Sequence, residues 1–151
     1  MPSSASAAAV PVADCAFCAI AAGATEAEIV LEDETSLAFL DFRPLFPGHS
    51  LLIPRAHHET LADLPDDLLP TYFGNARLLS VAIRDAMGAQ GSFVAINNVV
   101  SQSVPHLHTH VVPRVRKDGL RGFFWPRSRY ESENEIRAAG DAVRAAIARL
   151  G

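Results

Sequence analysis

The longest regular pattern of apolar positions runs through residues 65–87. Leu69, Phe73 or its neighbour Tyr72, Ala76, Leu79, Ile83 and Met87 recur there at steps of three and four. That spacing gathers them on one broad face of an α-helix, where side chains one turn apart are stacked. Pro70 lacks the backbone donor that an interior turn needs, so the helix is expected to start near Leu69 with Pro70 as its first residue. Gly88 and Gly91 bound it. A second stripe of Ile136, Ala139, Val143, Ala146, Ile147 and Leu150 predicts a final helix, and Ser132 with Glu135 three places on makes its capping box. A short helical turn is expected over residues 16–22, closed by Gly23, the residue type that best tolerates a left-handed cap.

Between these segments the apolar runs are short and bounded by turn formers. Residues 29–32 and 36–41 predict two strands of a hairpin around Asp33, Glu34 and Thr35. The stretch FRPLFPGHSLLIPRAHH predicts a loop over residues 43–48 and then a strand over 49–53, with Pro54 ending that strand or lying at its edge. Further strands are expected over 92–97 and 107–112, the last stopping at Pro113. Strands in runs interrupted by helices, rather than in strict alternation with them, indicate an α+β fold class. The expectation is an antiparallel sheet of about five strands, a long amphipathic helix and an extra C-terminal helix. Residues 1–13, rich in Ala, Ser and Pro, offer little apolar surface to offset the entropy of ordering and are expected to form a disordered leader. The main domain then covers 14–114, and 115–151 form an extension packed on it. There Phe123, Phe124 and Trp125 are expected to pack on the sheet, and Arg114, Arg116, Lys117 and Arg121 to form a solvated charged loop.

A chain of 151 residues fits one core. Its formal charge of −4 speaks against a global grip on nucleic acid, which needs clustered Lys and Arg, so any phosphate handled here belongs in a local pocket. No segment has the apolar length of a membrane span, and the N-terminus lacks the charged and apolar regions of a signal peptide; a soluble cytoplasmic protein is expected.

Candidate chemistry begins with VPHLHTHVV, residues 104–112. Three histidines at every second position of an extended segment put His106, His108 and His110 on one face, with Leu107, Thr109 and Val111 on the other. A histidine-rich surface face is the plain alternative. The two cysteines, in CAFC, are too close together to staple distant parts of the chain, but Cys15 and Cys18 have the spacing by which one metal ion is held by both thiolates. His57 and His106 are the natural remaining ligands of a zinc site. Rival readings are a redox pair or two buried reduced thiols. Four protein ligands would leave no open position, so such a zinc would be structural, tying the N-terminal segment to the histidine strand.

In order along the chain, CAFC, LAFLDFRPLFPGHSLLIPRAHHETL and NNVVSQSVPHLHTHVVPR resemble the histidine-triad (HIT) family of nucleotide hydrolases and transferases, over residues 15 to about 114. The resemblance implies a HIT-like α+β fold, usually paired into a homodimer, with a purine nucleotide bound near the triad. It implies that His108 is the nucleophile that forms a nucleotidyl-histidine intermediate, and that His110 contacts the phosphate and assists the leaving group. Related transferases carry glutamine at the place of His110, so histidine there points to hydrolysis over transfer. In zinc-containing relatives the counterparts of Cys15, Cys18, His57 and His106 hold the metal. His49 corresponds to a further histidine beside the pocket, Asp41 to a carboxylate that binds ribose hydroxyls, and Asn97, Gln102 and Ser103 to phosphate or leaving-group contacts. The loop before the triad, VVSQSV, is shorter and more apolar than the family's glycine-rich loop. The competing expectations are a nucleotide-binding sensor with negligible turnover, and a hydrolase whose triad itself holds a catalytic metal.

Overall fold

The structure, a computed structural model, describes residues 12–120 and 127–151, so the expectations for most of the leader and for Arg121, Phe123, Phe124 and Trp125 lie outside the described residues. The chain divides into two compact units, one up to Asp118 and one from Gly119. The first unit contains α1 (Ala16–Ala21), β1 (Ile29–Glu32), β2 (Ser36–Leu40), β3 (Ser50–Pro54), α2 (Leu69–Ala86), β4 (Gly91–Ile96) and β5 (Thr109–Arg114). The second contains α3 (Glu133–Leu150), whose N-cap Ser132 accepts from the Glu135 amide as the capping box requires. The five strands form one antiparallel sheet in the order β1-β2-β3-β5-β4. The α+β class and the five-stranded antiparallel sheet expected from the sequence are therefore those observed.

Strand alternation gives the sheet two buried faces. On one, Leu37 and Phe39 of β2 and Leu51 and Ile53 of β3 pack with Cys15, Phe17 and Cys18. On the other, Ala38, Leu52, Leu107 and Val111 pack with Tyr72, Ala76, Leu79 and Ile83 of α2. Of the two aromatic candidates on that helix it is Tyr72 that is buried, 2% exposed against 41% for Phe73. The Tyr72 hydroxyl bonds the Leu52 carbonyl at 3.0 Å and Thr109 Oγ1 at 2.7 Å, which is what lets a phenol sit inside an apolar layer. Met87, expected on the buried face, is instead the half-exposed C-cap residue of α2. Its side chain covers Gly48, where a Cβ would come within 2.7 Å of Met87 Cγ and where φ is +93°. Glycine is thus required twice over at the turn that leads into β3.

The β1–β2 turn is locked by one carboxylate. Asp33 accepts from the Thr35 and Ser36 amides at 2.8 and 2.9 Å and from Asn75 of α2 at 2.6 Å, joining the hairpin to the helix. Burial pulls the Asp33 carboxyl up, but these bonds to its ionised form outweigh burial and hold it at about 2.

Pro54 is the last residue of β3, as expected, whereas Pro113 lies within β5 instead of ending it. Each is paired on one side only, Pro54 with Ser36 and Pro113 with Ser92, because the β3–β5 ladder spans only Leu52↔Thr109 to Ser50↔Val111. A residue without a backbone donor is tolerated where one neighbour is missing. β5 also begins later than expected, at Thr109, so His106 and His108 precede the ladder. The Leu107 amide donates to the His58 carbonyl and the His106 amide to that of Val104. Among the described residues no helix is long and apolar enough to cross a membrane.

Candidate active site

Side-chain alternation persists through residues 106–110 although the ladder covers only part of them. Leu107, Thr109 and Val111 face α2, while the three histidines face the α1 side. There His108 meets Phe17 and His110 edge-on, with ring centroids 5.0 and 5.1 Å apart. His110 lies in β5 between Leu51 of β3 and Ala95 of β4.

The protonation of each ring follows from its partners. His108 Nδ1 lies 2.8 Å from the carbonyl oxygen of His106. A carbonyl only accepts, so Nδ1 carries the hydrogen and the lone pair of the neutral ring is on Nε2. Nε2 has no hydrogen-bond partner among the described residues. Among the described residues no buried side-chain nitrogen or oxygen lacks one, so although His108 is only 3% exposed, this atom keeps solvent access.

His110 is set by a relay. The Leu45 amide donates to His49 Nδ1 at 3.0 Å, which places the hydrogen of the neutral His49 ring on Nε2. His49 Nε2 donates in turn to His110 Nδ1 at 3.0 Å, leaving His110 with an N–H at Nε2. Burial pushes His110 down to about 4, with the neighbouring His108 and His49 rings adding to the effect and Asp41 opposing it. Burial likewise lowers His49, against the pull of Asp41. Both rings are therefore neutral at pH 7. Asp41 Oδ1 accepts from the Arg43 amide at 2.9 Å, and Oδ2 stands 3.8 Å from His49 Nε2.

Two clusters have donor sets with the types and proximity for a metal ion. In the first, one ligand atom each from Cys15, Cys18, His57 and His106 lies within 4.8 Å of the others. His106 Nε2 donates to the Pro54 carbonyl at 2.8 Å, so its lone pair is on Nδ1, and Nδ1 faces Cys15 Sγ at 3.4 Å and Cys18 Sγ at 3.6 Å. His57 Nδ1 is 3.3 Å from Cys18 Sγ. Burial pushes His106 down to about 4, against the opposing Pro54 bond, which keeps the lone pair that a cation would use. Burial also pushes the Cys18 thiol up, a penalty that a bound cation would reverse. These residues fit a Cys2His2 site. The second cluster, Asp41, His49 and His110, fits poorly: metal binding at His49 Nε2 would move its hydrogen to Nδ1, against the Leu45 amide. The triad is therefore not a single chelate, because His106 turns its free nitrogen to the thiols and His108 turns its Nδ1 to a carbonyl.

The phosphate-side residues are dispersed along one loop. Asn97 directly follows Ile96, the last β4 residue paired with β5, which stands opposite Thr109. Neither the Asn97 amide nor the exposed Ser103 hydroxyl bonds another described residue. Gln102, expected at the phosphate, has its side chain engaged otherwise: Oε1 accepts from the Val99 amide at 2.9 Å and Nε2 donates to the Glu59 carbonyl at 2.6 Å. It braces a loop in which Val99 and Ser101 adopt left-handed φ of +67° and +62°. Arg114, at the end of β5, is held by Asp118 at 2.6 Å.

Two contributors were not anticipated. The Leu45 amide carries no side-chain signal. Phe17 did carry one, since it stands between the two cysteines of CAFC and must share their surroundings.

The sequence matches the HIT domain over residues 22–117. It is 33% identical over 139 residues to adenosine 5'-monophosphoramidase hnt1 of Schizosaccharomyces pombe, covering 88% of this chain and 98% of that protein. Among solved structures, a HIT family member from Bacillus subtilis superposes with a TM-score of 0.80 at 32% identity, covering 87% of this chain and 96% of its own. A zinc-bound histidine triad family protein from Mycobacterium smegmatis is 37% identical with a TM-score of 0.67, covering 88% and 97%.

Proposed function

This chain belongs to the HIT domain family, and from that premise we propose that it hydrolyses a purine nucleotide conjugate at the α-phosphate, through a nucleotidyl intermediate on His108. The substrate class is a dinucleoside polyphosphate or a nucleoside phosphoramidate, and the activity printed for the fission yeast relative favours the second. The observation that carries the reading is the fixed tautomer of His108: the His106 carbonyl holds Nδ1–H and leaves the Nε2 lone pair open.

In the first step His108 Nε2 attacks the α-phosphorus and the leaving group departs with the electrons of its bond to phosphorus. The ring becomes a phosphoimidazolium whose positive charge is stabilised by the Nδ1–H bond to the His106 carbonyl. His110, held with N–H at Nε2 by His49, donates a hydrogen bond to the charge that develops on the phosphoryl or leaving-group atoms. The leaving group takes up a proton from solvent as it departs; in the second step water attacks the phosphorus and returns a proton to solvent, the P–N bond breaks and His108 recovers its lone pair. Asn97 and Ser103 supply further phosphate contacts, and Asp41 accepts from ribose hydroxyls. Gln102 and Ser103 support the phosphate through backbone donors and the Ser103 hydroxyl, while the Gln102 side chain braces the loop.

Cys15, Cys18, His57 and His106 hold zinc in a site with no open position, which gives the ion a structural role. The zinc-bound mycobacterial relative supports this assignment. The active form is a homodimer. Its support is the position of β4 at the edge of the sheet, with Val94 exposed, together with the exposed Phe73, Leu78 and Val81 of α2.

The test is to incubate the protein with a panel of purine nucleoside polyphosphates and phosphoramidates and look by mass spectrometry for an adduct of nucleoside monophosphate mass. The adduct is expected on the parent protein and absent from His108→Ala. Turnover that survives in His108→Ala contradicts the proposal, and tight binding with neither adduct nor turnover identifies a sensor.

A further inference from the structure

We propose that the Cys15–Cys18 turn positions the nucleophile, with Phe17 as the positioning residue, so that the metal-binding cluster and His108 form one mechanical unit. This rests on the reading of His108 as nucleophile and adds what holds its ring in place.

Among the described residues the His108 ring makes a single hydrogen bond, from Nδ1 to the His106 carbonyl. One such bond fixes the tautomer only while the ring stays in line with the carbonyl; a ring free to tilt bends the bond, weakens it and loses the tautomer preference. The tilt is confined by ring contacts. Phe17 stands edge-on to His108 at 5.0 Å and 79°, and His110 contacts it at 5.1 Å and 63°. Phe17 is itself only 8% exposed and is backed by Phe39 at 5.5 Å, so it has little freedom to follow a moving neighbour.

Two of these three restraints on His108, the carbonyl and Phe17, originate in the cysteine cluster. The carbonyl that holds Nδ1 belongs to His106, whose ring is pinned between the two thiols on one side and the Pro54 carbonyl on the other. Phe17 sits on the backbone between Cys15 and Cys18, where the Cys18 amide bonds Cys15 Sγ at 3.4 Å, and its ring also meets the His106 ring at 5.9 Å. Closing the four ligands on an ion therefore fixes the nucleophile twice, through the backbone of His106 and through the ring of Phe17. A Phe17 that merely filled the core would contribute to stability alone.

The experiment uses the full chain, zinc-loaded and labelled with 15N at its histidines, and reads the ring nitrogens of His108 by NMR at fixed pH. In the parent protein His108 is expected as a single Nδ1–H tautomer. Phe17→Leu keeps all four ligands and is expected to retain one zinc per chain, yet to show His108 as a mixture of tautomers. Its single-turnover rate of nucleotidyl transfer to His108 at saturating substrate is expected to fall by about tenfold or more, since a small misplacement of a reacting group is costly. Stripping zinc from the parent protein with a chelator is expected to give the same mixture, and Phe17→Met serves as the second variant should Phe17→Leu not fold. An unchanged single tautomer with an unchanged transfer rate, in zinc-loaded Phe17→Leu or Phe17→Met, overturns the proposal. Absence of any nucleotidyl adduct in the zinc-loaded parent counts against the hydrolase reading instead, and the ring spectra still decide the coupling.

Discussion

Residues of one type acquire different chemistry here through the second nitrogen of each ring. His106 spends its N–H on the Pro54 carbonyl and aims a lone pair at the thiols, whereas His108 spends its N–H on the His106 carbonyl and aims a lone pair at solvent. His110 receives a bond from His49 and presents an N–H. Because burial holds His110 well below its usual 6.5, the stability it contributes is complete above 6.5 and is lost as the pH falls towards 4. Melting temperatures measured between pH 6.5 and 4 should therefore fall in the parent protein and fall less in His110→Gln. Asp33 acts in a lower window. Its depressed folded-state pKa makes its contribution complete above 3.8 and lost on acidification towards about 2. Asp33→Ala should cost about 1–3 kcal/mol in chemical denaturation at pH 7, because it strands the Thr35 and Ser36 amides and Asn75. That the three triad histidines share a face was legible in their alternate spacing. Their tautomers were not, since these depend on backbone groups such as the Leu45 amide that no side-chain pattern reveals.

At the scale of elements, the strands and helices followed from apolar spacing, and the errors fall where neighbours decide. Pro113 remains inside β5 because it lacks a partner on one side, which depends on sheet order and not on the local sequence. The segment around the cysteines was legible as a set of residues that could hold a metal ion, from CAFC with two histidines, and the structure brings those four residues together. Cys15→Ser should release zinc and lower the melting temperature, as read by metal analysis and calorimetry; unchanged metal content would remove Cys15 from the ligand set. The loop before the triad could be read as atypical, but not as strained. Val99 is a β-branched residue at φ +67° and is 75% exposed, so it bears a backbone penalty with little packing in return. Val99→Gly should raise stability by about 1 kcal/mol in urea denaturation, the relief of strain outweighing the added entropy of the unfolded chain.

At the scale of the whole molecule, the α+β class was legible because strands outnumber helices and do not alternate with them, yet the strand order β1-β2-β3-β5-β4 was not. That order leaves β4 at an edge, and its Val94 side chain is exposed. If β4 and α2 form the interface of a homodimer, light scattering should give twice the chain mass for the parent protein and the single mass for Val94→Lys, which puts a charge on that edge. With His108 as nucleophile, hydrolysis consists of two displacements at one phosphorus. Stereochemistry reads their number, using an adenosine phosphoramidothioate of one configuration at the α-phosphorus hydrolysed in 18O-labelled water. Two in-line displacements predict that the released nucleoside phosphorothioate retains configuration, and inversion would contradict a covalent intermediate on His108.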